Sequence, residues 1–315
     1  MATPLFPQEI YLLERYSSKE YFLLMRDAWE EMVKHLEECL NRFMRELPPD
    51  YRGRPQPYQP DIVWGQRVLP NFRDTLQDLY ESYIALSHGD MSSLNTAHRV
   101  ANDFRGQLEF SSDWLEELDP PGGDIYAELL SAAKRYAGNI CATAGAYWSK
   151  TELTEGYDNL SRGPLPACAH WPKYRLNHAT TVRTGAPVPQ TGIYLPSAAD
   201  SAAQFLIAGQ AADKANIGYD ERTMQNVGRE PTKWTLIERV PGETVTDGLL
   251  DLLSGQTARI NRVPAGDPCP RSGWWYSPAQ VSSRRGFKQG DIFPDFEGSD
   301  YGATFWLWSQ DQADV

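Results

Sequence analysis

Three groups of side chains in this chain have the types and spacing that binding or catalysis requires. Arg284 and Arg285, followed by Lys288, form the best anion-binding group, because guanidinium forks match the oxygens of a phosphate or carboxylate. The competing reading pairs these cations with Asp291, Asp295 or Asp300 in the same segment. Cys168 stands two residues before His170, a thiol beside a base. Sequence neighbours in a loop seldom point at one another, however, and the thiol reads by default as a small buried hydrophobe. Between Gln107 and Leu130 stand seven acids, Glu109, Asp113, Glu116, Glu117, Asp119, Asp124 and Glu128, with no Lys or Arg among them. This run reads as a solvated helix face, as a surface docked on a basic loop of the same chain, or as a docking surface for a basic protein such as a nuclease. In the last case opposed charge raises the association rate, and the acidic surface covers a phosphate-binding cleft.

Other chemistry finds no support. The five histidines, His35, His88, His98, His170 and His178, lack metal-ligand spacing such as HxxxH or HExxH. There is no GxGxxG, GxxxxGK[ST] or GxSxG pattern, and no visible general base. No catalytic, cofactor-binding or metal-ligating residue is therefore assigned, and no cofactor is expected. Cys39, Cys141, Cys168 and Cys269 have no close pair and read as reduced thiols. With 42 acidic against 30 basic side chains the formal charge is −12, which argues against direct nucleic-acid binding and suits a basic partner. Residues are 41% hydrophobic and 12% aromatic, and no apolar run approaches the ~20 residues of a membrane span. The first residues, Met1 to Pro7, show neither a basic nor an apolar signal region, so the expected location is the cytoplasm.

The elements that must position these groups follow from periodicity. Ser17-Ser18 opens a helix to about Leu47, with Phe22, Met25, Trp29, Val33, Leu36, Leu40 and Phe43 on one stripe. Asp50 to Pro60 is a loop. Phe72, Leu76, Leu79, Tyr83 and Leu86 give a second helix, stopping near Gly89-Asp90. A helix or helix pair occupies Ser92 to Leu118, and Asp124 caps a long helix through Ile140 to Trp148. Leu160 to Gln190 holds five prolines and four basic residues, Arg162, Lys173, Arg175 and Arg183, without an acid, and reads as an irregular basic loop. Gly192 to Pro196 is a strand. Ser197 suits the N-cap of a packing helix over Ala198 to Ala215, with Ala202, Phe205, Leu206, Gly209 and Ala212 on a narrow face. Lys233 to Val240 is a strand, and Thr246 to Leu253 a short helix.

The C-terminal stretch from Cys269 to Trp308 alternates Gly with aromatic and β-branched residues between turns, the pattern of a small antiparallel sheet. Phe305 and Leu307 fall on one face of the last strand, and Thr304, Trp306 and Trp308 on the other. Trp274, Trp275, Trp306 and Trp308 read as the core of a small barrel, with one of them as a partner contact in the alternative reading. The expected fold is α+β: an antiparallel helical bundle over residues 1–156, a Pro-rich loop plus packing helix over 157–230, and a small β-rich domain, SH3-like or a partial barrel, over 231–315.

Several segments together carry a family resemblance. They are Ala167 to Pro172 (ACAHWP), Thr191 to Pro196 (TGIYLP), Ala203 to Ile207 (AQFLI), Trp234 to Arg239 (WTLIER), and the run from Cys269 with Gly273, Trp274 and Trp275 through Arg284, Arg285 and Tyr301 to Trp306 and Trp308. This set resembles bacterial polymorphic-toxin immunity proteins, the immunity protein 71 and 72 families found beside toxins of type VI secretion systems. The resemblance is specific over about residues 160–308 and architectural before that, and Phe293 stands where the family has Met. It implies an inhibitor that binds a cognate toxin, not an enzyme, and it supplies no catalytic or toxin-contact positions. A cytoplasm-acting toxin, such as a nuclease, fits a chain without an export signal. The rival readings are an enzyme holding a phosphorylated small molecule on Arg284, Arg285 and Lys288, and a module whose Trp-rich barrel grips an extended peptide.

Overall fold

A computed structural model describes residues 3–47, 49–166, 170–220, 222–223, 225–245, 262–280, 282–296, 299, 303–309 and 312. Its helices occupy the N-terminal half and its antiparallel sheets the C-terminal half, an α+β architecture. The helices are α1 (Pro7–Tyr16), α2 (Lys19–Arg45), α3 (Pro60–Val63), α4 (Leu69–Ser87), α5 (Ala97–Gln107), α6 (Gly123–Ala144) and α7 (Asn159–Arg162). Ser18 caps α2, its hydroxyl accepting from the Tyr21 N–H at 3.1 Å. Of the expected stripe, Phe22, Met25, Trp29, Val33, Leu36 and Phe43 are buried, and Met32 and Cys39 widen it. That face packs on α4 and α6, and Trp29 donates its indole N–H to the Phe72 carbonyl at 3.0 Å. Asp124 is not the cap of α6. Gly122 holds that position without a side-chain bond, and Asp124 lies in the first turn, where a carboxylate complements the helix dipole. The helix stops at Ala144 because Gly145 and then Ala146, at φ +52°, leave helical geometry, so Trp148 lies beyond it.

Among the described residues the strands that follow are β1 (Trp171–Arg183), β2 (Gly192–Pro196), β3 (Gln204–Leu206), β4 (Ala215–Ile217), β5 (Gly228–Glu230), β6 (Lys233–Val245), β7 (Arg262–Pro264), β8 (Gly273–Tyr276), β9 (Arg285–Phe287) and β10 (Phe305–Trp308). They form sheets of order β1-β6-β2-β3 and β7-β10-β8-β9, with β4-β5 as a separate pair. Two expectations are corrected here. The basic segment of 160–190 is not irregular throughout, since β1 fills residues 171–183 and buries Trp171, Tyr174 and Val182. Its register on β6 is broken by irregularities after Pro172 and Asn177, which erase a clean alternation from the sequence. No helix spans 198–215 either. Gln204–Leu206 form β3 against β2, and Gly209 turns the chain at φ +81° so that its N–H reaches the Val188 carbonyl at 2.8 Å. The small residues there are buried strand and turn, with Ala202 and Ala203 at the core. The short helix expected over 246–253 lies outside the described residues.

The chain divides into two compact units. One comprises Arg15–Gly145 with Leu160–Gly163 and is helical; the other comprises Met1–Glu14, Ala146–Asn159 and Pro164–Val315 and holds the sheets. Within the second, Tyr11 meets Trp171 edge-on at 5.4 Å, and the Tyr174 hydroxyl donates to the Glu14 carboxylate at 2.8 Å. The first sheet is built on Val182, Tyr194, Leu206, Trp234 and Leu236. Gly192 is needed there because a Cβ would come within 2.7 Å of Leu236 Cδ1. The second sheet has its own core of Cys269, Trp275, Phe293 and Trp306. Among the described residues no helix is long and apolar enough to cross a membrane.

Candidate partner-binding surface

The acidic segment is held by contacts on both of its flanks. At the end of α5, Gln107 accepts a hydrogen bond from the buried Tyr126 hydroxyl of α6 at 2.9 Å, which ties the start of the segment to the helix that follows it. A 3-10 turn over Asp113–Leu115 buries Trp114 and Leu115, so Asp113, Glu116 and Glu117 are left in solvent. The loop after it is pinned to α2, with Arg42 donating to the Pro120 carbonyl and His35 Nε2 to the Gly122 carbonyl, each at 2.8 Å. Gly122 permits this approach, because a Cβ would fall 2.6 Å from Cys39 Sγ. The carboxylate of Glu116 lies over Gly123, where a Cβ would meet Oε1 at 1.8 Å. That is the first residue of α6, whose unpaired N–H groups favour negative charge.

All of Glu109, Asp113, Glu116, Glu117, Asp119, Asp124 and Glu128 are exposed. Glu117 is paired, accepting from Arg54 with both oxygens at 3.2 Å. Among the described residues the other six acids have no ion pair, so their charge faces water uncompensated. Exposed apolar side chains flank the run, with Leu108 at 66% and Ile125 at 51% exposure. Beside it a small cavity of about 60 Å³ is lined by Tyr58, Trp64, Asp113, Trp114 and Glu117. As for docking on the chain's own basic segment, Lys173 and Arg175 of β1 pair with Glu243 and Glu238 of β6. His35 and Cys39 stand 3.5 Å apart, but burial pushes the thiol up and the ring nitrogen is committed to Gly122. They serve packing rather than nucleophilic chemistry.

The aromatic motif is mostly core. Trp275 and Trp306 are fully buried, with their indole N–H groups on the Arg271 and Pro294 carbonyls at 3.3 and 2.9 Å. Cys269 is buried beside them and its thiol is pushed up by that burial. Gly273, at φ +155°, leaves room for Trp308, which a Cβ would meet at 2.3 Å. The adjacent arginines do not converge. The Arg284 guanidinium lies 4.5 Å over Trp274 with Nε donating to Ser309 at 3.2 Å, whereas that of Arg285 lies 4.8 Å over Trp306. Asp291 accepts from the backbone N–H of Lys288 at 2.7 Å. Tyr301, Asp300 and Cys168 lie outside the described residues.

A feature that sequence reasoning missed lies on the opposite face of this sheet. Tyr276, Phe305 and Leu307 line a cleft of about 510 Å³ together with Pro7, Val245 and Arg284. The alternation of Phe305 and Leu307 with Trp306 signalled two apolar faces, but not what the second one met. Comparison of the chain with protein-family models gives no match, and comparison with curated proteins and with solved structures gives no significant one.

Proposed function

We propose that this chain is an immunity protein that neutralises a cognate secreted toxin of the type VI class by one-to-one protein–protein inhibition. In this reading the toxin is a basic protein that acts in the cytoplasm, a nuclease being the best chemical fit, and the immunity protein turns nothing over. The helical half is a bundle that presents the contact surface, and the C-terminal half is an SH3-like sheet or partial barrel. The observation that carries the reading is the acidic surface of residues 109–128, where six exposed carboxylates have no ion pair among the described residues and the flanking loop is pinned to α2. Fixed uncompensated charge beside exposed Leu108 and Ile125 suits a polar rim around apolar anchors. It also steers a cationic partner and rejects nucleic acid itself.

The test is affinity capture from the source bacterium with the tagged full chain, followed by mass spectrometry and a growth assay. One stoichiometric basic protein, toxic when expressed alone and harmless when this chain is co-expressed, is the expected result. Capture of no such protein under conditions where the toxin is expressed, or toxicity that this chain leaves unchanged, overturns the reading.

A further inference from the structure

The small cavity beside the acidic surface is built from rings as well as carboxylates. Tyr58, Trp64 and Trp114 line it with Pro57 and Pro60, and the charged groups of its lining are Arg54, Asp113 and Glu117. The rings are held in place. Trp64 donates its indole N–H to the Ser111 carbonyl at 2.9 Å and meets Trp114 edge-on at 5.8 Å. Tyr58 ends a 3-10 turn over Gln56–Tyr58 with its N–H on the Pro55 carbonyl at 2.9 Å, and Gln59 ties that turn to the Arg54 carbonyl at 2.6 Å. Tyr58 is nevertheless 63% exposed, and among the described residues no cation lies over its ring or over Trp64 or Trp114. A fixed aromatic ring open to solvent suits the anchor of a protein contact.

The charges around these rings have room for one more cation. Arg54 is already taken, with Glu117 at 3.2 Å and Asp50 at 3.6 Å. Asp113 has no ion pair among the described residues, while its backbone N–H is held by the Ser111 hydroxyl at 3.1 Å. The lining thus carries two carboxylates against one cation. One ring has an unused polar group as well, since Trp114 is 5% exposed and its indole N–H has no acceptor among the described residues. The volume of about 60 Å³ holds a few waters, or the head of one side chain.

We propose that this cavity takes an arginine side chain of the basic partner, its guanidinium bonded to Asp113 and stacked against Tyr58. Arginine fits better than lysine, because its planar fork stacks on a ring and meets a carboxylate with two N–H groups. The inference rests on the acidic surface being the toxin contact, and it names the residue type that this contact selects.

The experiment needs no toxin. The isotope-labelled full chain is titrated with acetyl-Gly-Arg-Gly amide and with the same peptide carrying citrulline, the uncharged isostere of arginine, while the Trp64 and Trp114 indole N–H resonances are followed. The arginine peptide is expected to move both resonances, with the citrulline peptide at least about tenfold weaker, the size of a lost charge-assisted hydrogen bond. Asp113→Asn should weaken the arginine peptide about tenfold and Tyr58→Ala about threefold. Both side chains are exposed, so neither change opens the core. Glu31→Gln, which removes an exposed charge of α2 outside this surface, should leave binding unchanged. Equal affinity for arginine and citrulline, no shift of either indole up to about 50 mM peptide, or wild-type binding by Asp113→Asn overturns the proposal. Those results leave the immunity reading in place if the toxin is still captured and neutralised. Arginine binding by a chain that captures and neutralises nothing overturns the immunity reading instead.

Discussion

At the scale of single residues, the acidic surface depends on residues that are not themselves acidic. Gly122 lets the loop settle on Cys39, and His35 and Arg42 then hold the Gly122 and Pro120 carbonyls. Gly122→Ala forces a methyl group against a buried sulfur and is expected to cost about 1–3 kcal/mol in urea unfolding, the usual penalty of overpacking. The charges themselves act on rate. Reversing Glu116 and Glu117 to Lys is expected to slow association with the captured toxin by about tenfold or more and to flatten its salt dependence, with a smaller effect on dissociation. Stopped-flow mixing at two salt concentrations measures this, and an unchanged association rate removes these residues from the contact. Exposure of the acids was legible in the sequence, because an uninterrupted run of carboxylates has no local partner. The contacts that fix the loop were not legible, since His35, Cys39 and Arg42 lie far away in sequence and carry no motif.

At the scale of elements, legibility tracks how local the determinants are. The stripe of α2 from Phe22 to Phe43 is a property of one segment, and the helix formed where its period placed it. Strand β1 depends on β6, whose pairing residues lie about sixty positions later and meet it through two irregularities, so prolines and basic residues dominated the local reading. Over 198–215 the many alanines favour a helix locally, but pairing with Gly192–Tyr194 and the left-handed turn at Gly209 decide the outcome. Between α2 and α4 the packing is reinforced by Glu30, which accepts from Lys34 at 2.5 Å and from the Tyr80 hydroxyl at 2.6 Å. Hydrogen bonds from Lys34 and Tyr80 hold its carboxyl below the ordinary carboxylate range. A carboxyl depressed on folding stabilises the folded state above its unfolded pKa, and that contribution is lost as pH falls through the folded value. Glu30→Gln is therefore expected to lower the urea midpoint at neutral pH, and its difference from wild type should shrink below the ordinary pKa of about 4.3. A difference that stays constant with pH would assign the loss to packing instead.

At the scale of the whole molecule, the β-rich unit is assembled from three stretches of chain, and its first fourteen residues are part of it. Leu5, Ile10, Leu12 and Leu13 are all buried there. Each contributes about 1.5–3 kcal/mol on burial, so together they rival the entire stability of about 5–15 kcal/mol typical of a domain. A chain that begins at Arg15 is expected to keep the helical signal in far-ultraviolet circular dichroism while losing the cooperative transition of the sheets. Retention of both transitions would show that α1 is dispensable.

The same arrangement has a consequence in time. A ribosome delivers Arg15–Gly145 as one uninterrupted piece, whereas α1 must wait for β10 before its unit is complete. At about 5–20 residues per second that wait is roughly 15–60 s. For all of it the unit that contains Leu12 and Leu13 is incomplete, whereas the helical unit has all of its segments once residue 163 is made. The surface assigned to the toxin would thus be ready first, on a chain whose other half is still being made.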